Sequence, residues 1–241
     1  MNLNFEKPEK LWSIFSKHFP KPLDLVAEHE DPTRIPSRIE YNEYCSNEFD
    51  RSFSALLEEL EEKVSNVSTY HGCRVEDESK YTLNGIKKLD REEKIEWMKQ
   101  FFHLDKEVDE AVHALEQKMG NDYSDRSERS VFTMCSMTYS NKNVSYRQGC
   151  EFIRYTAQIL GEEYDQKYLG YGRPCQIEIR TPLGWLKENT DERTFPNLIR
   201  SLFAHWLLNS AGELDHLEKG MNSAVIFRSE IPSKMIHHFH Y

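Results

Sequence analysis

The sequence predicts an α+β fold whose sheet is mostly antiparallel. Three observations predict it. Two long stripes repeat at helical spacing: Phe53, Leu56, Leu57, Leu60 and Val64, and Phe195, Leu198, Ile199, Leu202, Phe203, Trp206 and Leu207. A short segment alternates as a half-buried strand does, with Cys175, Ile177 and Ile179 against Gln176, Glu178 and Arg180. The order of helices and strands lacks the regular βαβ alternation of a parallel sheet.

In chain order, residues 8–18 predict a short helix through Leu11, Trp12, Ile14 and Phe15, followed by a loop punctuated by Pro20, Pro22, Pro32 and Pro36. Residues 50–66 predict a helix with Glu58, Glu59, Glu61 and Glu62 turned outward. Ser68–Arg74 reads as a strand. Glu76–Asn84 reads as a helix stopped by Gly85. Asp90–Met119 reads as one long charged helix, set in a helical insertion near residues 88–129. Val131–Met137 reads as a strand, and Tyr146–Leu160 as an amphipathic helix stopped by Gly161. Cys175–Thr181 is a strand ended by Pro182. Ala224–Phe227 and Met235–Tyr241 complete the strands. The domain reading is an N-terminal helical extension, 1–66, and a domain spanning 67–241.

The chain has 241 residues, 38% hydrophobic and 12% aromatic, enough to build a core. No apolar run approaches the ~20 residues of a membrane span, and the first residues lack the apolar stretch of a signal peptide. The expectation is a soluble, cytoplasmic protein with no membrane partner. The net charge of −10 lies before residue 130, since residues 130–241 hold 12 acids and 12 bases. This excludes a protein that coats nucleic acid by charge alone. It leaves open an enzyme that modifies a nucleic acid.

The five cysteines, Cys45, Cys73, Cys135, Cys150 and Cys175, form no CxxC and are expected to be reduced thiols. Cys135, Cys150 and Cys175 read as small core hydrophobes. Glycine-rich nucleotide loops, the GxSxG elbow and HExxH are absent. His237, His238 and His240 form the densest histidine cluster, but no second ligand cluster has the spacing of a metal site, so no metal is expected. Cys73 beside His71 raises a thiol nucleophile as a minor option, without an orienting acid after it.

The informative residues are spread along the chain: Tyr70-His71-Gly72-Cys73-Arg74, then Tyr81 and Asn84-Gly85-Ile86, then Val131-Phe132-Thr133. Ser145-Tyr146 and Gly149-Cys150-Glu151-Phe152 follow, then Gly172-Arg173-Pro174 and Thr181-Pro182-Leu183. Ala224-Val225-Ile226-Phe227, Glu230-Ile231-Pro232 and Ile236 close the series. This order resembles the ADP-ribosyltransferase superfamily, in the branch of diphtheria toxin and the poly(ADP-ribose) polymerases, over residues 68–241. The resemblance implies an ADP-ribosyltransferase-like fold and NAD as co-substrate. It implies that His71 hydrogen-bonds a ribose of NAD, that the Gly72 backbone holds the nicotinamide carboxamide, that Tyr146 stacks on the nicotinamide and that Tyr81 closes the pocket. Arg74 would meet the pyrophosphate. Asn222 stands where the family's catalytic glutamate begins its strand, with Glu151, Glu230, Glu213 and Glu218 as alternative carboxylates.

The activity implied is transfer of a single ADP-ribose to a macromolecular acceptor, protein or nucleic acid, by a bacterial toxin or anti-phage effector. An antitoxin or chaperone is the implied partner of the acidic helices. Two other readings stand beside it. One is a catalytically silent module that binds NAD or ADP-ribose, suggested by Asn222. The other is an unrelated α+β protein-interaction domain using helices 50–66 and 90–119.

Overall fold

The computed structural model describes residues 1–21, 47–119, 130–136, 149–210 and 224–241. Their order is β1 (Asn2–Leu3), α1 (Glu9–His18), α2 (Asn47–Lys63), β2 (Asn66–Val75), α3 (Ser79–Asn84), α4 (Arg91–Phe102), α5 (Lys106–Met119), β3 (Val131–Met134), α6 (Glu151–Leu160), α7 (Glu162–Leu169), β4 (Arg173–Pro182), α8 (Leu183–Asn189), α9 (Thr194–Ser210) and β5 (Ala224–Phe227). A 3₁₀ turn, Ser233–Met235, then leads into β6 (Ile236–His240). The strand order is β5-β3-β2-β4-β6, with β1 added to β2. β1 runs parallel to β2, pairing Asn2 with Asn66, while β6 runs antiparallel to β4, pairing Ile177 with Phe239. The chain is α+β. Among the described residues no helix is long and apolar enough to cross a membrane.

The fold divides into two compact units: residues 1–69, 134–139 and 180–225, and residues 70–133, 140–179 and 226–241. In the first, α1 packs on α2 and α9, and α8 on α9. Its centre is Phe203, met by the rings of Phe15, Phe19, Phe49, Phe53 and Trp206 at centroid distances of 4.5 to 6.0 Å. Tilted and edge-on pairs of this kind each add about 0.5–1.5 kcal/mol beyond burial. At the unit's surface the half-buried Glu59 carboxylate accepts hydrogen bonds from Lys17 Nζ at 2.6 Å and from Lys63, and meets His18 Nε2 at 2.8 Å.

In the second unit α6 packs on α5 and α7, and α4 on α5. They share a core of Ile95, Met98, Phe102, Val108, Val112, Leu115, Phe152, Ile153, Ala157 and Tyr168. The expected single helix over Asp90–Met119 is two helices. His103 takes the left-handed conformation, φ 60°, and ends α4. The break lets Phe102 and Val108, on either side of it, both enter that core. Asp90 caps α4, its carboxylate accepting from Glu93 N at 2.9 Å.

Other boundaries shift for local reasons. The helix expected from Glu76 begins at Ser79, because Asp77 accepts from the Ser79 amide at 2.8 Å and holds the preceding turn. The helix expected from Tyr146 begins at Glu151, after Gly149 with φ +96° and an extended Cys150. The strand expected to reach Met137 ends at Met134. Tyr146, Met137, Glu213, Glu218 and Asn222 lie outside the described residues. β1, α7 and α8 carry no expectation from the pattern: β1 has two residues, and α7 and α8 have eight and seven, too few for a distinct periodicity.

The Glu59 cluster sets a pH dependence. Lys17 first, then Lys63 and His18, hold its carboxyl down to about 2 from an ordinary value of 4.5, with burial acting the other way. A depressed carboxyl stabilises the fold above pH 4.5, and that contribution is lost as pH falls towards 2. Glu59→Gln is therefore expected to lower the melting temperature at pH 7. It should also flatten the part of the acid-unfolding curve between those two pH values, read by circular dichroism.

Candidate functional site

The site lies in the second unit, on β2. This strand is central, flanked by β3 and β4, so its backbone is paired and its side chains alternate between faces. His71 and Cys73 share one face; Tyr70, Gly72 and Arg74 share the other.

The His71 Nδ1 lies 3.0 Å from the Phe132 carbonyl oxygen on β3. A carbonyl only accepts, so Nδ1 carries the proton. In the neutral ring Nε2 is then an acceptor, with no hydrogen-bond partner among the described residues. Burial pushes the imidazole below its ordinary 6.5, while the Phe132 carbonyl acts the other way. The net effect is a neutral base of fixed tautomer at neutral pH. Gly72, half-buried, follows it on the strand.

Tyr81 is placed by α3. Its ring meets Phe239 edge-on at 6.3 Å, and its hydroxyl lies near the Cys73 thiol. Burial first, then Cys73, pushes this phenol far up, so it stays protonated. Because Cys73 and His71 share a strand face, Tyr81 is anchored on the His71 side of β2. Gly85 closes α3, its amide donating to Tyr81 O at 2.8 Å. Ile86 then bridges to Ile231 through two backbone hydrogen bonds of 2.9 Å. Two motifs far apart in sequence, Asn84-Gly85-Ile86 and Glu230-Ile231-Pro232, thus meet directly. Gly85 has φ +76°, and a Cβ there would lie 2.0 Å from Ile231 O.

Arg74 is held by the turn after α7. Its Nε donates to Tyr171 O, and its Nη2 donates to Leu169 O and to Gly172 O, the last at 3.0 Å. Two of its nitrogens are therefore committed to three backbone carbonyls. Next to it Gly149 is pressed close: a Cβ would lie 2.6 Å from the Tyr168 hydroxyl and 2.8 Å from Arg74 Cγ. Tyr171 donates to Glu76 at 2.8 Å, and burial together with that carboxylate pushes its phenol up to about 12.

Two of the carboxylate candidates, Glu151 and Glu230, lie among the described residues. Glu151 is exposed in the first turn of α6, where a negative charge suits the positive end of the helix dipole. Glu230 forms a surface ion pair with Lys87 at 2.7 Å.

The histidines of the C-terminal cluster lie on β6. His238 and His240 stand 4.6 Å apart between ring centroids, and His240 Nε2 lies 3.4 Å from Glu178. Among the described residues no group of three His, Cys, Asp or Glu side chains is placed to hold a metal.

Cys175, expected as a small core hydrophobe, is fully buried. It lies on β4, the strand beside β2, which carries Cys73. Alternation marks both cysteines as inward-facing, but only the pairing of β2 with β4 brings their strands together. Tyr168 enters the core of the second unit without an expectation from the sequence, because α7 is too short to display a period.

No family model, no curated protein and no solved structure matches the chain.

Two outcomes test this geometry. In an NMR titration the His71 ring should change protonation below pH 6.5, and a midpoint above that value would contradict the buried neutral tautomer. Gly85→Ala should cost about 3 kcal/mol in urea unfolding, since it forces a Cβ onto the Ile231 carbonyl at a positive φ.

Proposed function

We propose that the chain is a mono-ADP-ribosyltransferase that takes NAD as co-substrate, releases nicotinamide and passes ADP-ribose to a protein or nucleic-acid acceptor. The observation that carries this reading is His71: a neutral imidazole on a central strand, its tautomer set by Phe132, with Nε2 left as an acceptor. Such a nitrogen suits a ribose hydroxyl, which needs an acceptor of fixed direction. Gly72 beside it lets a flat carboxamide approach the backbone, and Tyr81 lies on the same side. The meeting of Ile86 with Ile231 supports the reading further, because it joins two of the motifs that carry the resemblance.

In this chemistry the bond from the ribose C1′ to the nicotinamide nitrogen breaks, and its electron pair leaves with nicotinamide. An acceptor nucleophile attacks the cationic sugar carbon and gives up its proton. His71 orients the ribose, and Tyr146 covers the nicotinamide ring. Glu151 or Asn222 would hold a ribose hydroxyl as positive charge develops. Asn222 does so without charge, which favours transfer of one ADP-ribose over chain elongation.

The test is nicotinamide release from NAD by the purified chain, with and without cell lysate as a source of acceptor. His71→Ala is expected to reduce release by about 100-fold while leaving the melting temperature within a few degrees. Thermal stabilisation by NAD without product would instead favour the silent binding module. Absence of both at millimolar NAD would overturn nucleotide binding altogether.

A further inference from the structure

We propose that His238 and His240 chelate a divalent first-row transition ion, Cu(II) most tightly, with Glu178 as the outer partner that orients His240. Residues two apart on a strand share a face, so His238 and His240 point the same way from β6. The register places β4 residues on that face as well: Glu178 pairs with His238, and Gln176 with His240. The two imidazole centroids are 4.6 Å apart, with the ring planes at 74°. Glu178 Oε2 lies 3.4 Å from His240 Nε2. The register shifts between Glu178 and Ile179, and His237 falls at that shift. The sequence offers three clustered histidines; the sheet selects two of them and adds a carboxylate from β4.

The spacing suits one ion. Two imidazoles in adjacent positions of a tetragonal ion, each nitrogen about 2.0 Å from the metal, have ring centres about 4.5 Å apart. Water fills the remaining positions, in keeping with the lack of a three-residue ligand group among the described residues. His240 Nε2 is buried and makes no hydrogen bond, although a carboxylate lies beside it. A metal on Nδ1 fixes the proton on Nε2 and strengthens that N–H as a donor, which completes a bond to Glu178. The buried Glu178 carboxylate also offsets part of the charge of the ion. His238 is exposed and the His240 ring is 30% exposed, so an ion reaches the pair from water. Imidazole selects Cu(II), Ni(II) and Zn(II) over Mg(II), and among these Cu(II) binds nitrogen most strongly.

The site lies on the sheet face opposite His71. The His240 ring meets Tyr70 edge-on at 6.0 Å, and Tyr70 and His71, adjacent on β2, point to opposite faces. Metal binding therefore stands apart from the transferase reading and needs no NAD. Its structural consequence falls on β6, an edge strand among the described residues: through Glu178 the chelate fastens β6 to β4.

The test titrates the full purified chain, free of any affinity tag, with copper(II) chloride in a weakly coordinating buffer at neutral pH. Calorimetry gives the affinity, and electron paramagnetic resonance reads the ligands. The expected result is a tight one-to-one complex with two nitrogen ligands, weaker binding of zinc chloride and none of magnesium chloride. His238→Ala and His240→Ala each remove a ligand. Each should weaken copper binding by at least the amount that loss of an outer partner costs, about 10–100-fold. His237→Ala should leave the affinity unchanged. Glu178→Gln should weaken binding while the two-nitrogen spectrum persists; an unchanged affinity would overturn the role of Glu178. If that buried variant does not fold, the exposed His238→Ala decides the site. Absence of copper binding overturns the proposal, as does binding that survives intact in His238→Ala and His240→Ala. So does an equal loss in His237→Ala.

Discussion

Strand β2 carries the greatest constraint in the structure. It lies between β3 and β4 and also receives β1, so both of its edges are engaged in pairing. Such a strand cannot slide by one residue without turning every side chain to the opposite face. Val67, Tyr70, Cys73 and Val75 are buried along it. His71, Gly72 and Arg74 hold their places because their neighbours do. The strand that carries these residues is thus positioned by backbone pairing, not by its side chains.

His71 and Arg74, on β2, are then restrained by backbone, not by another side chain. Phe132 O sets the His71 tautomer, and three carbonyls of the 169–172 turn hold Arg74. Carbonyl partners do not titrate, so these restraints persist across pH. Titration is confined to the groups they hold. For His71, burial keeps the ring neutral, which preserves Nε2 as an acceptor. The Arg74 clamp has a different consequence: with Nε and Nη2 donating to backbone carbonyls, Nη1 is the nitrogen outside the clamp.

The helical part of the second unit follows another rule. Residues 91–119 look like an insertion because their charged periodicity differs from that of the strands around them. Packing gives them a core in common with α6 and α7, built on Met98, Phe102, Val112, Phe152 and Tyr168. Gly149 shows how tightly that region is joined to the site strand, with room for no Cβ between Tyr168 and Arg74.

Local chemistry made much of this legible from residues alone. The apolar stripe of α9, the alternation of β4 and the Gly85 stop required only periodicity and a glycine's freedom at positive φ. The α+β class followed from their order. What the sequence could not decide was anything set by partners distant along the chain. The break at His103 exists because two flanking residues share one core. The role of Arg74 depends on a turn nearly a hundred residues later. Cys175 reads as core by itself, and only the placing of β4 against β2 puts the strand of Cys73 beside it. Periodicity reports which way a side chain faces; strand pairing alone decides what it faces.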